Sequence, residues 1–553
     1  MSSMEFDARL NRIGDLVDAN AEKLKNETAL AYHEFGFQNT FAEFRRICRQ
    51  VARGLMALGI RRGDHIALWA NNLPEWVYTQ FGSAMAGAVL VTVNTNFRAF
   101  ELEYLLEQSD TTTLIMTHGV REPNEYIRIL KQVCPQIDHC DPGELKTEKL
   151  PYLKNVVLLG DDSINGAFTW GRLMEMGDRI SDAELDERAA GIDADDVTMI
   201  QYTSGTTGYP KGVMLTHRNL IGNARSMAEI MALSPDDTLC IPVPFFHCFG
   251  CVIGTMCCTV SGTAMAPVTS FKPEVVLDTV DALKCTALHG VPTMFIAELE
   301  AMNGRQYETS RLRTGVMAGS TCPVEVMKGV MDKMGAQELT IVYGQTESSP
   351  GITQTRRNDS MQIRTETVGR ALPNVEVKIM DTLTGETLPP GKTGELCSRG
   401  YHIMKGYYKM PDKTKETIDT DGWLHTGDLA SMDKNGNCTI QGRLKDMIIR
   451  GGENIYPREI EEFLYTHPAV QDVQVVGIPD EKYGEEVAAF IQIRNGKRLS
   501  EKEIREFCKD RISFHKIPRQ IYFVEEFPTT ASGKIQKYKL RELVRHDDDV
   551  YQK

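Results

Sequence analysis

This chain has fewer basic than acidic residues. Its 553 residues include 62 Lys and Arg against 76 Asp and Glu, which gives a formal net charge of −14. Nucleic acids and anionic membranes bind basic surfaces, so this balance argues against both as partners. An anionic ligand must instead be held by local positive groups.

No signal-peptide pattern is present at the N-terminus. Residues 1–20 contain four acidic side chains and no apolar run of signal-peptide length. The thirteen cysteines are odd in number and scattered along the chain, unlike the framework of a small disulfide-rich secreted protein. We therefore expect a cytoplasmic protein with reduced thiols.

Charged residues are missing from one long segment. Between Ile241 and Phe271 there is no Asp, Glu, Lys or Arg, and the segment is long enough for a membrane span. Prolines and glycines interrupt it repeatedly, so we favour a buried helix entered through a turn. Within it, Cys248 and Cys251 have the spacing of a redox motif or of half a zinc site. No second cysteine pair with ligand spacing accompanies them, which favours core packing.

A hydroxyl-rich, glycine-punctuated loop follows a short apolar run near residue 200. It reads Thr203-Ser204-Gly205-Thr206-Thr207-Gly208-Tyr209-Pro210-Lys211-Gly212. Its glycines let the backbone approach an anion, its hydroxyls donate to phosphate oxygens, and Lys211 adds a positive charge. Because Gly212, and not a metal-binding hydroxyl, follows the lysine, an ordinary P-loop ATPase is disfavoured. The loop predicts a polyphosphate ligand.

Five motifs, in order, resemble those of the adenylate-forming superfamily of acyl-CoA synthetases, peptide-synthetase adenylation domains and beetle luciferases. The loop described above resembles the family's phosphate loop. The segment Val342-Tyr343-Gly344-Gln345-Thr346-Glu347 resembles the adenine and magnesium motif, and Trp423-Leu424-His425-Thr426-Gly427-Asp428 resembles the ribose motif. The hinge motif is similar to Gly442-Arg443-Leu444-Lys445-Asp446, and the catalytic-lysine motif is similar to Ser532-Gly533-Lys534-Ile535. The resemblance is greatest to medium-chain or fatty acyl-CoA synthetases and implies an AMP-forming acid–thiol ligase.

The resemblance implies a first half-reaction in which a carboxylate attacks the α-phosphate of Mg-ATP, giving an acyl-adenylate and pyrophosphate. Lys534 would bridge the carboxylate and the nucleotide, and Glu347 would hold Mg²⁺. The other residues implied in ATP binding are Thr203, Ser204, Gly205, Thr206, Thr207, Gly208, Lys211, Gly319, Ser320, Tyr343, Gly344, Gln345, Thr346, Asp428 and Arg443. Taken singly, Tyr343 fits a core position, Asp428 a turn, and Lys534 an exposed lysine.

In the implied second half-reaction, the thiol of CoA attacks the activated carbonyl and releases AMP. The family performs this step by rotating its small C-terminal domain about a hinge residue, here Lys445. Gly451 and Gly452 would let the pantetheine arm pass close to the backbone. A plain turn between strands is the alternative for these two glycines.

The acyl substrate is predicted from the position before the Gln-Thr-Glu sequence. Acetate-specific relatives carry tryptophan there, whereas this chain has Gly344, which predicts a deeper pocket. The predicted wall comprises Phe246, His247, Cys251, Gly319, Thr321 and Gly344. Apolar burial contributes ~0.8 kcal/mol per CH₂ group, so we expect a medium-chain, cyclic or aromatic acid. His247 either touches the acyl group or relays a thiol proton, or is an ordinary core histidine.

The predicted fold class is α/β. Short apolar runs such as 65–69 and 113–116 alternate with amphipathic helical segments, which indicates layered, mainly parallel sheets. A small antiparallel unit is expected near residues 381–399, where it would close the large domain. We predict a large domain at residues 1–443 and a small, mobile α+β lid at 444–553, with helices near 457–465 and 500–511.

Two other functions remain open at this point. One is an adenylating enzyme that loads a carrier-protein thiol or oxidises the adenylate; the other is a non-catalytic binding module. Retention of Glu347, Asp428 and Lys534 argues against the binding module, and no carrier segment is evident downstream. The expected cofactors are ATP, Mg²⁺ and CoA, and the expected partner is a small carboxylic acid. We expect no nucleic acid and no membrane span, and leave homo-oligomerisation open.

Overall fold

The computed structural model describes residues 10–160, 163–203, 210–319, 322–450, 453–480, 482–509, 511–529 and 535–550. Backbone contacts divide the chain into two compact units, Met1–Glu376 with Arg399–Leu424, and Val377–Ser398 with His425–Lys553. Residues 377–398 and 425–443 thus group with the C-terminal residues. The division at 443/444 stays a prediction about the domains of the active enzyme.

The first unit contains a nine-stranded sheet. Five consecutive neighbouring pairs are parallel, and antiparallel strands flank them at both edges. In spatial order its strands are Arg370–Ala371, Gly351–Gln354, Glu338–Gly344, Thr314–Ala318, Ala287–Gly290, Thr238–Ile241, Ala264–Pro267, Thr28–Tyr32 and Phe37–Thr40.

An eight-stranded sheet in the same unit is also mainly parallel. Its antiparallel part is one edge, where the chain forms a hairpin and then adds a further short strand. In spatial order its strands are Gly406–Tyr407, Lys211–Thr216, Val197–Thr203, Val89–Thr92, His65–Trp69, Thr111–Met116, Asn155–Leu158 and Phe168–Thr169. The strands predicted from the runs at 65–69 and 113–116 are therefore present.

Helices of the first unit cover these sheets. Its α-helices are Ile13–Lys23, Phe41–Ala57, Pro74–Ala86, Ala99–Gln108, Glu125–Val133, Trp170–Met176, Asp182–Ala190, His217–Met231, Cys257–Ser261, Pro273–Ala282, Pro292–Ala301, Val324–Gly329, Met361–Glu366 and Pro411–Thr417. Short 3₁₀ turns are His33–Phe35, Pro135–His139, Gly177–Arg179 and Thr346–Ser348, and π-helical turns are Phe249–Met256 and Val330–Met334.

Helix His217–Met231 contacts strands of both large sheets. Its start is fixed by a capping box, in which the Thr216 hydroxyl accepts from the Asn219 amide and the Asn219 side chain accepts from the Thr216 amide. Asn223 is fully buried on the same helix and exchanges two hydrogen bonds with the backbone of Gly351. The helix therefore ties the hairpin edge of one sheet to a strand of the other.

The charge-free segment forms a buried helix between two strands, as predicted. Strand Thr238–Ile241 leads through a turn into the π-helical residues Phe249–Met256 and helix Cys257–Ser261, and strand Ala264–Pro267 follows. All residues of both helical stretches are buried. Across the described ranges, we find no helix with the length and apolarity that crossing a membrane requires.

The second unit combines two small sheets. Most of a four-stranded sheet lies in it, with strands Val375–Met380, Thr393–Gly400, Leu424–Met432 and Cys438–Arg443. A five-stranded sheet has the strands Glu453–Ile455, Ile448–Arg450, Gly484–Ile493, Val470–Asp480 and Gln520–Phe523. Its helices are Pro457–Tyr465, Glu501–Cys508 and Lys537–Val550, with 3₁₀ turns Leu444–Asp446 and Phe514–Lys516.

The α/β fold class is confirmed, and so are several local predictions. Helix Pro457–Tyr465 has the predicted bounds, and helix Glu501–Cys508 lies inside the predicted 500–511. The antiparallel unit expected near 381–399 corresponds to the sheet that contains Thr393–Gly400. The mobility of the C-terminal residues stays a prediction.

One buried carboxyl group in the first unit makes stability depend on pH. Glu298, on helix Pro292–Ala301, is fully buried, and neither oxygen has a partner among the described residues. Burial raises the pKa of Glu298 from 4.5 to about 8. The folded protein therefore keeps a proton that the unfolded chain releases above pH 4.5, and stability falls as pH rises between these values.

We expect Glu298→Gln to remove this part of the pH dependence. Relative to wild type, the variant should gain on the order of 3 kcal/mol between pH 5 and pH 8, because its side chain does not ionise. Urea unfolding at both pH values measures the change. Glu300→Gln, at an exposed position of the same helix, is the matched control. Parallel pH profiles for Glu298→Gln and wild type would contradict the prediction.

Candidate active site

The phosphate loop predicted from sequence connects two antiparallel strands. Strands Val197–Thr203 and Lys211–Thr216 pair with Thr203 opposite Lys211, and the hydroxyl of Tyr104 donates to the carbonyl of Pro210 at 3.0 Å. Both ends of the loop are thereby fixed. The predicted ligands Ser204, Gly205, Thr206, Thr207 and Gly208 lie outside the described residues.

Thr203, at the entrance of this loop, has a buried hydroxyl. Its Oγ1 is buried and has no hydrogen-bond partner among the residues that the structure describes. A buried polar atom without a partner is costly. A phosphate oxygen at the loop would satisfy it, so the residue fits its predicted role in ATP binding.

Lys211 and Glu347 are joined through Tyr407. The Lys211 ammonium donates to the Tyr407 hydroxyl at 3.0 Å and lies 4.2 Å from the centre of its ring. The same hydroxyl donates to Oε1 of Glu347 at 2.7 Å. The cation predicted to bind phosphate and the carboxylate predicted to bind Mg²⁺ are therefore brought to one place.

The Gln345-Thr346-Glu347 motif forms a tight turn after strand Glu338–Gly344. The Gln345 amide donates to the carbonyl of Pro350 at 3.0 Å, and the hydroxyl of Ser348 donates to the same carbonyl at 2.6 Å. Thr346 and Glu347 are buried, whereas Gln345 is partly exposed, as is Tyr343. The stacking of Tyr343 on adenine stays a prediction.

Gly344 is required by close packing of the backbone. A Cβ atom at this position would lie 1.8 Å from the carbonyl oxygen of Pro350, a contact that no side chain can make without movement of the backbone. The missing side chain thus has a structural cause within the turn itself. The assignment of Gly344 to the acyl pocket stays a prediction.

The charge-free segment approaches the same turn through Cys248. The Cys248 sulfur lies 3.8 Å from Oγ1 of Thr346 and 3.6 Å from Nδ1 of His247. Nδ1 of His247 also accepts from the backbone amide of Phe249 at 3.2 Å. We therefore assign the neutral tautomer with the proton on Nε2. His247 and Phe246 are both partly exposed, so His247 can donate to a ligand.

Cys251 is buried below this surface. It is fully inaccessible, its sulfur accepts from the Gln201 side chain at 2.9 Å, and burial raises the pKa of the thiol. All thirteen cysteines of the chain are free, and Cys248 is buried as well. This arrangement agrees with core packing of the pair. Contact of Cys251 with the acyl group stays a prediction.

Gly319 directly follows strand Thr314–Ala318 and is exposed. Its φ of +95° lies in the left-handed region, which favours glycine. The neighbouring positions Ser320 and Thr321, predicted to contact nucleotide and acyl group, lie outside the described residues.

In the second unit, Asp428 and Arg443 face each other across two antiparallel strands. Nε of Arg443 lies 3.4 Å from Oδ1 of Asp428. Asp428 is buried, whereas the Arg443 side chain is 54% exposed. Asp428 and Arg443 are therefore close together, and their roles in binding the ribose stay a prediction.

Glu395 holds the turn that presents Asp428. Its two carboxylate oxygens bond to the Gly427 amide and to Nδ1 of His425, both at 2.9 Å. The Thr426 hydroxyl donates to the Leu396 carbonyl at 2.6 Å and accepts from the Asp428 amide at 3.1 Å. Gly427 has φ +69° in this turn. Glu395 is buried, so its charge depends on these donors.

The predicted hinge residue Lys445 lies in the 3₁₀ turn Leu444–Asp446. Partial desolvation, and then the charge of Arg443, lower the pKa of Lys445 from its usual range. The next residue, Asp446, accepts from Arg541 at 2.8 Å. Gly451, Gly452 and Lys534 lie outside the described residues, so their roles stay predictions.

Glu347 fits the chemistry of a magnesium ligand. Mg²⁺ prefers carboxylate oxygens and is held by one or two of them together with phosphates. Oε1 of Glu347 accepts from Tyr407, and the carboxylate keeps further lone pairs that could bind the ion. Three other residues, Glu395, Cys397 and His425, have side chains of the kinds that bind metal ions, and their possible ligand atoms lie within 4.8 Å of one another. The donors to Glu395 described above account for both of its oxygens, so the cluster needs no metal to explain it.

Two residues of the site were not among the sequence predictions. Tyr407 lies sixty positions from Glu347, and its local sequence, Gly406-Tyr407-Tyr408, carries no polar motif. Glu395 could have been singled out, since it is an acidic residue beside the apolar Leu396 in a predicted short strand. Nothing local identifies its partner, His425.

Comparison with protein families assigns both parts of the chain. The model of the family described as AMP-binding enzyme matches residues 17–408. The model described as AMP-binding enzyme C-terminal domain matches residues 459–534. Between them, these matches cover most of the chain.

Curated relatives match over nearly the whole length. YngI of Bacillus subtilis (strain 168), which bears the provisional name of an acyl-CoA synthetase, is 55% identical, with 96% of each chain covered. The mitochondrial medium-chain acyl-CoA ligase ACSF2 of Rattus norvegicus is 40% identical, over 96% of this chain and 87% of the relative.

Solved structures agree with this assignment. ATP-bound MatB from Rhodopseudomonas palustris has 27% sequence identity and a TM-score of 0.81, covering 96% of this chain and 99% of that one. The anthranilate CoA ligase AuaEII in complex with anthranoyl-AMP has 26% identity and a TM-score of 0.84, covering 97% and 98%. On the family match and the relatives together, the chain belongs to the AMP-binding enzyme family.

Proposed function

We propose that this protein is an ATP-dependent, AMP-forming acyl-CoA synthetase. It joins a carboxylic acid to ATP as an acyl-adenylate, releases pyrophosphate, and then transfers the acyl group to CoA with release of AMP. The observation that carries the proposal is the meeting of Lys211 and Glu347 through Tyr407. A cation and an anion side by side suit a nucleotide phosphate and the divalent ion that accompanies it.

Charge neutralisation is the main task of the first step, because two anions must meet. Lys211 would neutralise phosphate charge, and the buried Thr203 hydroxyl would donate to a phosphate oxygen. Bound Mg²⁺, held by Glu347, would withdraw charge from the phosphates. Lys534 would orient the carboxylate toward the α-phosphate, while Asp428 accepts the ribose hydroxyls. Positioning of the two reactants supplies the rest of the acceleration.

We propose a medium-chain, cyclic or aromatic acid as the acyl substrate. The relative ACSF2 is named a medium-chain acyl-CoA ligase, and AuaEII is an anthranilate CoA ligase. Phe246 and His247 are partly exposed at the end of an apolar segment, where Phe246 can contact a hydrocarbon. The Nε2 proton of His247 can reach a polar atom of the substrate.

Transfer to CoA is favoured over the alternative of carrier loading or adenylate oxidation. Two of the relatives described above are named CoA ligases and one an acyl-CoA synthetase. On the CoA side, Lys445 is proposed as the hinge, and Gly451 and Gly452 as the passage for the pantetheine arm. A cytoplasmic location is also proposed.

The proposed reaction predicts a chain-length profile. With ATP, Mg²⁺ and CoA, we expect AMP and acyl-CoA to form in equal amounts. The efficiency kcat/KM should rise by about fourfold per methylene along the series from acetate to an acid of about six carbons, at ~0.8 kcal/mol each. Chromatography of both products, with decanoate, benzoate and cyclohexanecarboxylate included, measures this.

Lys534→Ala is the control for this experiment and should form neither product. A preference for acetate would contradict the predicted pocket while leaving adenylation intact. AMP without acyl-CoA, together with acyl transfer to a phosphopantetheinylated carrier, would favour the alternative function.

Glu395→Gln tests whether the turn at residues 425–428 sets ribose recognition. Without the charge of Glu395, the bonds to His425 and Gly427 weaken and Asp428 loses its fixed orientation. We expect the Kd values for ATP and AMP to rise together by about tenfold, and discrimination against 2′-deoxy-ATP to fall.

Isothermal titration with the three nucleotides measures this change. Glu376→Gln is the matched control, since its carboxylate belongs to an exposed ion pair with Arg399 and should leave all three Kd values unchanged. Unaltered discrimination in Glu395→Gln would show that Asp428 is positioned by other contacts.

A further inference from the structure

We propose that Tyr407 is a positioning residue for Mg-ATP, whose hydroxyl orients Lys211 toward the phosphates and Glu347 toward the metal ion. This inference rests on the proposed function and assigns a role to a residue outside the five motifs.

The Tyr407 hydroxyl bridges the two charged side chains. It accepts from the Lys211 ammonium at 3.0 Å and donates to Oε1 of Glu347 at 2.7 Å. The bond to Oε1 orients the Glu347 carboxylate, whose remaining lone pairs could bind Mg²⁺. The ammonium of Lys211 has three hydrogens, so two remain for phosphate oxygens after one is given to Tyr407.

The Tyr407 hydroxyl lies between the Lys211 ammonium and Oε1 of Glu347, and the residue is 3% exposed. The hydroxyl can therefore separate the cation from the carboxylate and prevent them from forming a direct ion pair. A direct pair would occupy both charges needed for the nucleotide and its ion.

The backbone on each side of Tyr407 is fixed to the residues that it serves. Strand Gly406–Tyr407 pairs with strand Lys211–Thr216, and the amide of Tyr408 donates to the Gly212 carbonyl at 2.8 Å. On the other side, the amide of Met404 donates to the carbonyl of Glu347 itself at 2.9 Å.

The amide of Tyr407 is also held, by Oγ1 of Thr414 at 2.9 Å. Thr414 belongs to helix Pro411–Thr417, so a rigid element supports the strand from its far side. The backbone of Tyr407 is thus fixed by contacts other than the two side chains that its hydroxyl bridges.

Tyr407→Phe isolates the hydroxyl, because it keeps the ring beneath the Lys211 ammonium. We expect the Kd for Mg²⁺ with a non-hydrolysable ATP analogue to rise by about tenfold, the loss of a hydrogen bond to a charged group. The Kd for AMP, which lacks the β- and γ-phosphates, should stay within about twofold of wild type. Isothermal titration gives both values without turnover.

Tyr408→Phe is the matched control. Its hydroxyl donates to Asp110 at 2.9 Å, away from Lys211 and Glu347, so both Kd values should remain those of wild type. An equal loss of AMP and Mg-ATP analogue binding in Tyr407→Phe would overturn the proposal, because it would indicate general disruption. Unchanged binding of the Mg-ATP analogue would overturn it as well.

A double-mutant cycle keeps the test decisive if Tyr407→Phe loses stability. The effects of Lys211→Met and Tyr407→Phe on the Kd of the Mg-ATP analogue should be non-additive. Tyr407→Phe removes the group that orients the Lys211 ammonium, and this loss has no effect once Lys211→Met has removed the ammonium. Additive effects would contradict the positioning role. If wild type itself does not bind the analogue, the proposed function fails; if wild type binds it and Tyr407→Phe binds it equally, the role of Tyr407 alone fails.

Discussion

The burial of Glu347 is the constraint on which the first unit's site depends. A carboxylate removed from water must be given donors, and here the hydroxyl of Tyr407 supplies one. That hydroxyl reaches Glu347 only because strand Gly406–Tyr407 adds to the hairpin strand Lys211–Thr216. A hydrogen bond to the Glu347 carboxylate therefore requires that strand Gly406–Tyr407 pairs at the edge of the eight-stranded sheet. The same strand pairing brings Lys211 into the site.

Polar side chains of one helix stabilise this arrangement. Asn219 is buried and donates to the carbonyls of Tyr401 and Ile403, at 2.6 and 3.0 Å. Asn223, one turn further along, fixes Gly351 in the strand that follows the Gln345-Thr346-Glu347 turn. Buried amides with all partners in place fix one register of the chain, because any shift would leave a donor unpaired. Through the hydrogen bonds of these two asparagines, the helix fixes the positions of backbone segments from both sheets.

The sequence predicted the elements and the motif residues better than it predicted their connections. Periodicity identifies helix Pro457–Tyr465, and chemistry identifies Lys211 and Glu347, because both signals are local. The bond between Tyr407 and Glu347 joins residues sixty positions apart, and no pattern within either segment encodes it. Gly344 is a different case. Its identity was noted, but its cause, contact with the Pro350 carbonyl, depends on how a turn folds back on itself.

The path of the chain has a practical consequence for dissecting the protein. The first compact unit is discontinuous: it ends at Glu376 and resumes over Arg399–Leu424, the stretch that contains Tyr407. An expression fragment that stops at 376 would lack a strand of the eight-stranded sheet and leave the hairpin edge without its neighbour, as an unpaired template for other chains. A fragment that contains the whole first unit must therefore extend through residue 424, with residues 377–398 carried as an insertion.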